Sequence, residues 1–438
     1  MSINNQLVIN AVWDNNLVPA GRSAQRNLLI EVTAPSKPEQ VSERQPINLA
    51  LVIDCSGSMT GAPIEAACRA AEGIVDCLKE GDCLSLVTFN QATDTLFSGL
   101  MMNEQGKHEA SELIHRIYAG GITNLSAGWF EGSRCVASEM EHGEYREGHV
   151  LVLSDGRANR GICDPDELLY HARELARRNV KTSAAGIGMR YSPLQLDALA
   201  EGGQGRLHDA DSTADIVDVV LGELGELHTI TARGVGLSLE YPLVANLEPI
   251  TRMAVNHEPG KYSLQIGDIV ADATRAFAVS VNLPRLEQGE QLLFDGAVSW
   301  RESTDQISST THSFETKLFV VPPFEADNHI PEYDVIERIA DLWEATLAYR
   351  ALRQNEQGDY AGASLSYTTQ FAAFENLVKD LHSAPLRLKR FASAQRRVSM
   401  EWRGRSKRQA YTLSKKAILS ERDLRSRDVG NWYNHLER

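Results

Sequence analysis

What the 438-residue chain lacks sets the first limits. No apolar run approaches the roughly 18 to 20 residues of a membrane-spanning helix, and the opening MSINNQLVINAVWDNN has neither the basic segment nor the apolar core of an export signal. A soluble, unexported, cytoplasmic protein is the expectation. Cysteine is sparse: Cys55, Cys68, Cys77, Cys83, Cys135 and Cys163 form no CxxC pair and have no histidine at zinc-finger spacing. This argues against a zinc ribbon or a disulfide scaffold, and the thiols are expected to stay reduced. Cys68 and Cys77 fall on or beside the apolar face of one predicted helix, where a thiol acts as a small hydrophobe. Phosphate-binding order is absent as well: GGQGRLHDA has glycines but does not link a strand to a helix in GxGxxG or Walker fashion, so it reads as a turn.

Positive charge is scarce over most of the chain and concentrated at its end. Residues 381 to 438 hold 15 Lys and Arg against 5 Asp and Glu, whereas residues 1 to 380 hold 29 against 54, within a net charge of -15. Such asymmetry suggests a tail with its own partner.

Hydrophobic residues make up 42% and charged residues 24%, a globular balance, and the length calls for more than one compact unit. Residues 46–228 alternate strand and helix signals. The apolar runs INLALVID, CLSLVTFN, HVLVLSD and KTSAAGIG lack period-two alternation and are separated by amphipathic helices, the pattern of a parallel sheet covered on both faces. APIEAACRAAEGIVDCLKE puts Ile64, Ala67, Ala71, Ile74 and Leu78 on one stripe, and Asp164, Pro165 and Glu167 mark a helix start as N-cap, N1 and N3. A closing helix is predicted from Ala214 to His228. The fold class is therefore α/β, a doubly wound Rossmann-like domain whose ligand site lies beyond the carboxyl ends of its strands.

Residues 229–325 change to short, partly alternating runs broken by Gly, Pro and Asn, the signature of an antiparallel β-sandwich. The N-terminal segments NQLVINAVW and NLLIEVTA, within residues 1–45, have the same character. If they pair with the later strands, the α/β domain is an insertion in the sandwich. Residues 331–385 carry two helical stripes, one through Ile336, Ile339, Trp343 and Leu347 and one through Tyr367, Phe371, Phe374 and Val378, predicting a helical hairpin that Pro385 ends. Residues 386–438 form a basic helical tail.

The chemistry-bearing stretch is DCSGSM, directly after a buried strand. Asp54, Ser56 and Ser58 alternate along a turn in which Gly57 eases the bend, so their oxygens can converge. Matching strand-end loops add Thr123 in GGITNLS and Asp155 in SDGRANRG. Carboxylates and hydroxyls without sulfur or imidazole suit Mg²⁺, Mn²⁺ or Ca²⁺. By itself DxSxS also reads as a turn and helix cap; the two further loops favour the cation.

These motifs, in this order, resemble the metal-ion-dependent adhesion site of the von Willebrand factor A (VWA) family. The stretch TSAAGIGMRYSPLQLDALAEGGQGRLHDA further resembles bacterial members. The resemblance implies that Ser56 and Ser58 bind the cation directly, that Thr123 does so in the ligand-competent state, and that Asp54 and Asp155 act mainly through waters. It implies an open coordination position for a partner protein's Asp or Glu, hence an adaptor and not an enzyme, and partners such as AAA+ ATPases or kinase and phosphatase system components. It also implies that the closing helix, where Gly222 and Gly225 lower helix stability, shifts when Thr123 engages the metal.

Two rival readings stand beside it. A metal-dependent hydrolase needs a general base, yet His149 begins a strand instead of ending one, and a Cys55 thiolate beside carboxylates is disfavoured. A nucleic-acid-binding effector would use the basic tail with Phe391, Trp402 and Tyr411 for stacking, against the plainer reading of that tail docking on an acidic surface.

Overall fold

The computed structural model describes residues 7–36, 46–143, 145–155, 158–187, 191–210, 229–251, 255–302, 308–402 and 404–416. The chain divides into two compact units, one formed by Glu39–Ile230 and the other by Met1–Pro38 with Thr231–Arg438. In sequence the first interrupts the second.

The chain opens with β1 (Val8–Trp13), β2 (Leu17–Pro19) and β3 (Ala24–Thr33). The interrupting unit then runs β4 (Asn48–Asp54), α1 (Ala62–Cys77), β5 (Cys83–Phe89), β6 (Thr93–Met101), α2 (Glu104–Ile114), α3 (Leu125–Glu141), β7 (Gly148–Ser154), α4 (Pro165–Ala176), β8 (Val180–Ile187), α5 (Pro193–Gly202) and β9 (Gln204–Ala210). Its sheet has the order β6-β5-β4-β7-β8-β9. All neighbours are parallel except the antiparallel edge pair β5 and β6. The apolar runs show no alternation because both faces are covered. Leu49, Leu51 and Ile53 of β4 pack with α1 and α2, while Ala50 and Val52 pack with α3, α4 and α5. Asp164 caps α4 by accepting a hydrogen bond from the Asp166 amide, with Pro165 at the first position.

Two sequence expectations are corrected in this unit. The sheet is not wholly parallel, since Thr93–Met101 turns back as an antiparallel edge. GGQGRLHDA is not just a turn: after the turn at Gly203 the chain runs from Gln204, at φ +58°, as the edge strand β9 beside β8. The closing helix predicted over 214–228 lies outside the described residues.

The second unit adds β10 (Ile230–Glu240), β11 (Asn246–Pro249), β12 (Val255–Glu258), β13 (Lys261–Val270), β14 (Thr274–Leu283), β15 (Gln291–Arg301) and β16 (Thr310–Val321). Two sheets form, β1-β3-β14-β11 and β12-β13-β10-β15-β16-β2. β3 pairs antiparallel with β14 along its whole length, from Thr33 opposite Thr274 to Ala24 opposite Leu283. The N-terminal strands are thus integral to the sandwich. Leu28, Ile30, Phe277, Phe294 and Trp300 fill the space between the sheets.

The helices α6 (Pro323–Asn328), α7 (Tyr333–Glu356), α8 (Tyr360–Val378), α9 (Ala384–Val398) and α10 (Gly404–Lys416) complete this unit. Pro385 does not end the hairpin, whose second helix stops at Val378. It sits in the first turn of α9, where a missing amide costs nothing. Nor do the hairpin and the described part of the basic tail stand apart: Ile339, Trp343, Phe374, Phe391 and Val398 share one core with Leu29, Ala276 and Ala278 of the sandwich. Among the described residues no helix is long and apolar enough to cross a membrane.

Candidate metal centre

β4 and β7 are neighbours at the point where the chain's progress across the sheet reverses, and loops leaving such strands diverge to leave a crevice. Asp54 ends β4 and Asp155 follows Ser154, the last residue of β7. The Ser154 hydroxyl donates to Asp54 Oδ2 at 2.6 Å, and the Ser56 amide donates to Asp54 Oδ1 at 2.8 Å. Both carboxylate oxygens of a fully buried Asp54 are therefore held by protein donors.

From Asp54 the chain turns through Ser56 into a short 3-10 turn, Gly57–Met59, anchored by the buried Met59. This brings Ser56 Oγ to 3.1 Å from Ser58 Oγ, and the Ser58 hydroxyl donates to Asp155 Oδ1 at 2.7 Å. The loop carrying Thr123 is tied to the same turn by backbone alone: the Gly57 amide donates to the Gly121 carbonyl at 2.9 Å, and the Gly120 amide to the Cys55 carbonyl at 2.7 Å. Gly121 has φ +93°, and a Cβ on Gly57 would stand 3.3 Å from the Gly121 oxygen, so both glycines serve this close approach. Asn90, at the end of β5, supports the loop from below by donating from its side-chain amide to Gly120 and accepting from the Asn124 amide at its own carbonyl. The Asn159 amide donates to the Thr123 carbonyl at 3.3 Å, which links this loop to the one after β7.

The structure thus joins Asp54, Ser56, Ser58 and Asp155 through one hydrogen-bonded set and places the buried Thr123 on a loop stitched to them by backbone. Among the described residues, none hydrogen-bonds to the Thr123 hydroxyl. Ser58 is exposed, and on the Thr123 loop Ile122 and Tyr118 are exposed too, Tyr118 to 82%.

The donor set fits a hard cation on two counts. In an octahedral magnesium shell with bonds of about 2.0–2.1 Å, adjacent ligand oxygens stand about 2.9 Å apart, and the 3.1 Å separation of the Ser56 and Ser58 oxygens is close to that edge. Burial raises the Asp54 carboxyl above its ordinary range, opposed by the hydrogen bonds from Ser154 and Ser56; among the described residues no cationic side chain offsets it. A buried carboxylate without a counter-charge either takes up a proton or is compensated by a cation, and a metal ion would supply that compensation.

Neither hydrolytic candidate suits the site. Burial first, then the Asp54 and Cys68 charges, push the Cys55 thiol up to about 12. His149 pairs with Glu147 at 3.2 Å near the start of β7, at the other end of the strand from Asp155. Sequence reasoning missed Ser154 and Asn90, although both carry a visible signal, a polar residue at the end of an apolar strand.

A family model described as the von Willebrand factor type A domain matches residues 48–220. The described residues of that span have the fold of a VWA domain. Similarity also extends beyond it. An uncharacterized protein of Synechocystis is 24% identical over 81% of this chain and 84% of that protein. A solved von Willebrand factor type A protein from Catenulispora acidiphila superposes with a TM-score of 0.64 at 16% identity, covering 90% of this chain and 91% of that one. The ArnB paralog VWA2 from Sulfolobus acidocaldarius does so with a TM-score of 0.54 at 16% identity, over 93% and 99%. At such identities the two structures show a shared fold, over a share of this chain that extends beyond the VWA domain into the sandwich and helices.

Proposed function

We propose that the VWA domain is a cation-dependent adaptor module of a cytoplasmic, non-catalytic scaffold of bacterial type, in which a divalent ion, Mg²⁺ or else Mn²⁺ or Ca²⁺, captures an acidic side chain of a partner protein. The carrying observation is the continuous set Ser56, Ser58 and Asp155 beside the buried Asp54. Ser56, Ser58 and Thr123 would ligate the ion directly, with Asp54 and Asp155 acting through waters. The Asp54 geometry supports that division, because its two oxygens already accept from Ser154 and Ser56. An ion held mostly by neutral hydroxyls stays electron-poor and favours one further anionic oxygen. The chain's own contribution is rigidity: the Gly57–Gly121 and Gly120–Cys55 backbone bonds hold the ligating loops in register before any partner arrives. Exposed Ile122 and Tyr118 then offer apolar contact area beside the acidic anchor.

The nucleic-acid alternative finds less support. Phe391 and Tyr411 are buried, Trp402 donates its indole N–H to the Arg397 carbonyl, and Arg387 is engaged by Glu337, Asp341 and Glu344 of α7. The aromatics offered for stacking are thus occupied inside the helical layer. Partner classes such as AAA+ ATPases or kinase and phosphatase components remain part of the proposal. A pull-down run in Mg²⁺, in EDTA, and in EDTA followed by Mg²⁺ tests it. Capture that EDTA abolishes, Mg²⁺ restores and Thr123→Ala eliminates supports the adaptor; the same proteins retained in EDTA and by Thr123→Ala refute it.

A further inference from the structure

Gln195 lies on α5, outside the five oxygen-bearing residues, and only 3% of its surface is exposed. Its whole side-chain amide is spent on the loop after β7. Gln195 Oε1 accepts from the Ala158 amide at 2.9 Å, and Nε2 donates to the Ala158 carbonyl at 3.3 Å and the Cys163 carbonyl at 2.8 Å. Only one orientation of the amide satisfies all three, because a carbonyl cannot accept from a carbonyl. Ala158 stands three positions after Asp155 and directly before Asn159, whose amide holds the Thr123 carbonyl. The far end of this loop is tied to the same neighbourhood, since the Ile162 amide donates to Ser126 Oγ at 2.9 Å.

We infer that Gln195 is a positioning residue of the metal centre, a clamp that fixes the loop bearing Asp155 and, through Asn159, the carbonyl of Thr123, so that the centre is assembled before the ion binds. This rests on the metal-site reading above. A residue that only filled space on α5 would not need both ends of a buried amide. A long side chain with three backbone bonds to a single loop restricts that loop's freedom, and groups that orient ligands from behind typically govern metal affinity by about 10- to 100-fold.

The test titrates full-length protein with Mn²⁺ by calorimetry, comparing wild type, Gln195→Met and Gln195→Glu well below their melting temperatures. Gln195→Met keeps length and apolar packing but removes all three hydrogen bonds. Gln195→Glu keeps the acceptor for Ala158 but loses both donors, and its carboxylate faces two carbonyls; it serves as second variant where Gln195→Met does not fold. The expected result is Mn²⁺ affinity weakened about tenfold or more in either folded variant, with faster amide exchange across residues 158–163 in the metal-free state. A folded variant with a lowered Tm but unchanged Mn²⁺ affinity assigns Gln195 a structural role and overturns the inference. A wild type that takes up no Mn²⁺ overturns instead the metal-site reading on which it rests.

Discussion

Ser58 Oγ donates a 2.7 Å hydrogen bond to Asp155 Oδ1 across 97 positions of sequence, joining the loop after β4 to the loop after β7. Because those strands are neighbours at the reversal point of the sheet, the bond marks where a ligand of this fold is expected. Ser58→Ala removes the oxygen that touches both Ser56 and Asp155. It should cost little stability, within about 0.5 kcal/mol for an exposed side chain, while reducing Mn²⁺ affinity by at least tenfold. Paired thermal melts and calorimetric titrations separate the two effects.

Gly121 tests the backbone approach that aligns the Thr123 loop. An alanine at φ +93° is strained by about 1–2 kcal/mol. Gly121→Ala should therefore lower the urea midpoint by a corresponding amount and weaken Mn²⁺ binding together with it. Unchanged Mn²⁺ affinity in this variant would mean that the loop's register does not matter to the site.

Thiol chemistry should be ordered by environment. Cys55 is buried with its thiol raised to about 12, whereas Cys77 is exposed at the end of α1. This corrects the expectation that Cys77 packs in the core. Native protein treated with iodoacetamide at pH 8 and mapped by mass spectrometry should carry label on Cys77 and none on Cys55.

Arg387 holds the helical layer together. Its guanidinium is nearly buried and reaches Asp341 at 2.8 Å and Glu344 at 3.0 Å, with Glu337 also accepting from it. Arg387→Met takes from the mostly buried Glu344 and its two acidic neighbours their main counter-charge, leaving Arg390 as a weaker one for Glu344. A loss of about 3–5 kcal/mol is expected, read as a lower urea midpoint, with Mn²⁺ affinity unchanged.

Asp14 gives a pH signature in the sandwich. Burial raises its carboxyl above 3.8, opposed by hydrogen bonds from the Asn27 amide and side chain and from the Asn15 amide. The native state thus binds this proton more tightly than the unfolded state. Its contribution to stability is greatest below pH 3.8 and declines as pH rises from there through the raised native value. Urea midpoints measured across that window should fall less steeply in Asp14→Asn than in wild type.

Much of this was legible in the residues because burial leaves a pattern. INLALVID and HVLVLSD read as strands covered on both faces, and the oxygens at their ends are the ones the structure brings together in the candidate centre. What escaped did so for physical reasons. Residues 193–200 of α5 are all buried, so the helix has no polar face to reveal its period, and with it Gln195 went unseen. β6 is half-exposed and carries Thr, Asp, Ser and Gly, a weak apolar signal. Pro385 is ambiguous by nature, since proline both follows helices and opens them. In the basic segment, Phe391 looked free for stacking because sequence does not show that Tyr367, Phe371 and Phe374 surround it, with ring centroids 4.9–5.6 Å away.

The central claim is that Asp54, Ser56, Ser58, Thr123 and Asp155 together hold one hard divalent cation. Calorimetric titration of the purified, chelator-stripped protein with Mn²⁺ and with Mg²⁺ tests it most directly. The account predicts one ion per chain for the wild type and none for a Ser56→Ala, Ser58→Ala double variant that melts as wild type does. Absence of uptake by the wild type, or equal uptake by the folded double variant, would contradict it.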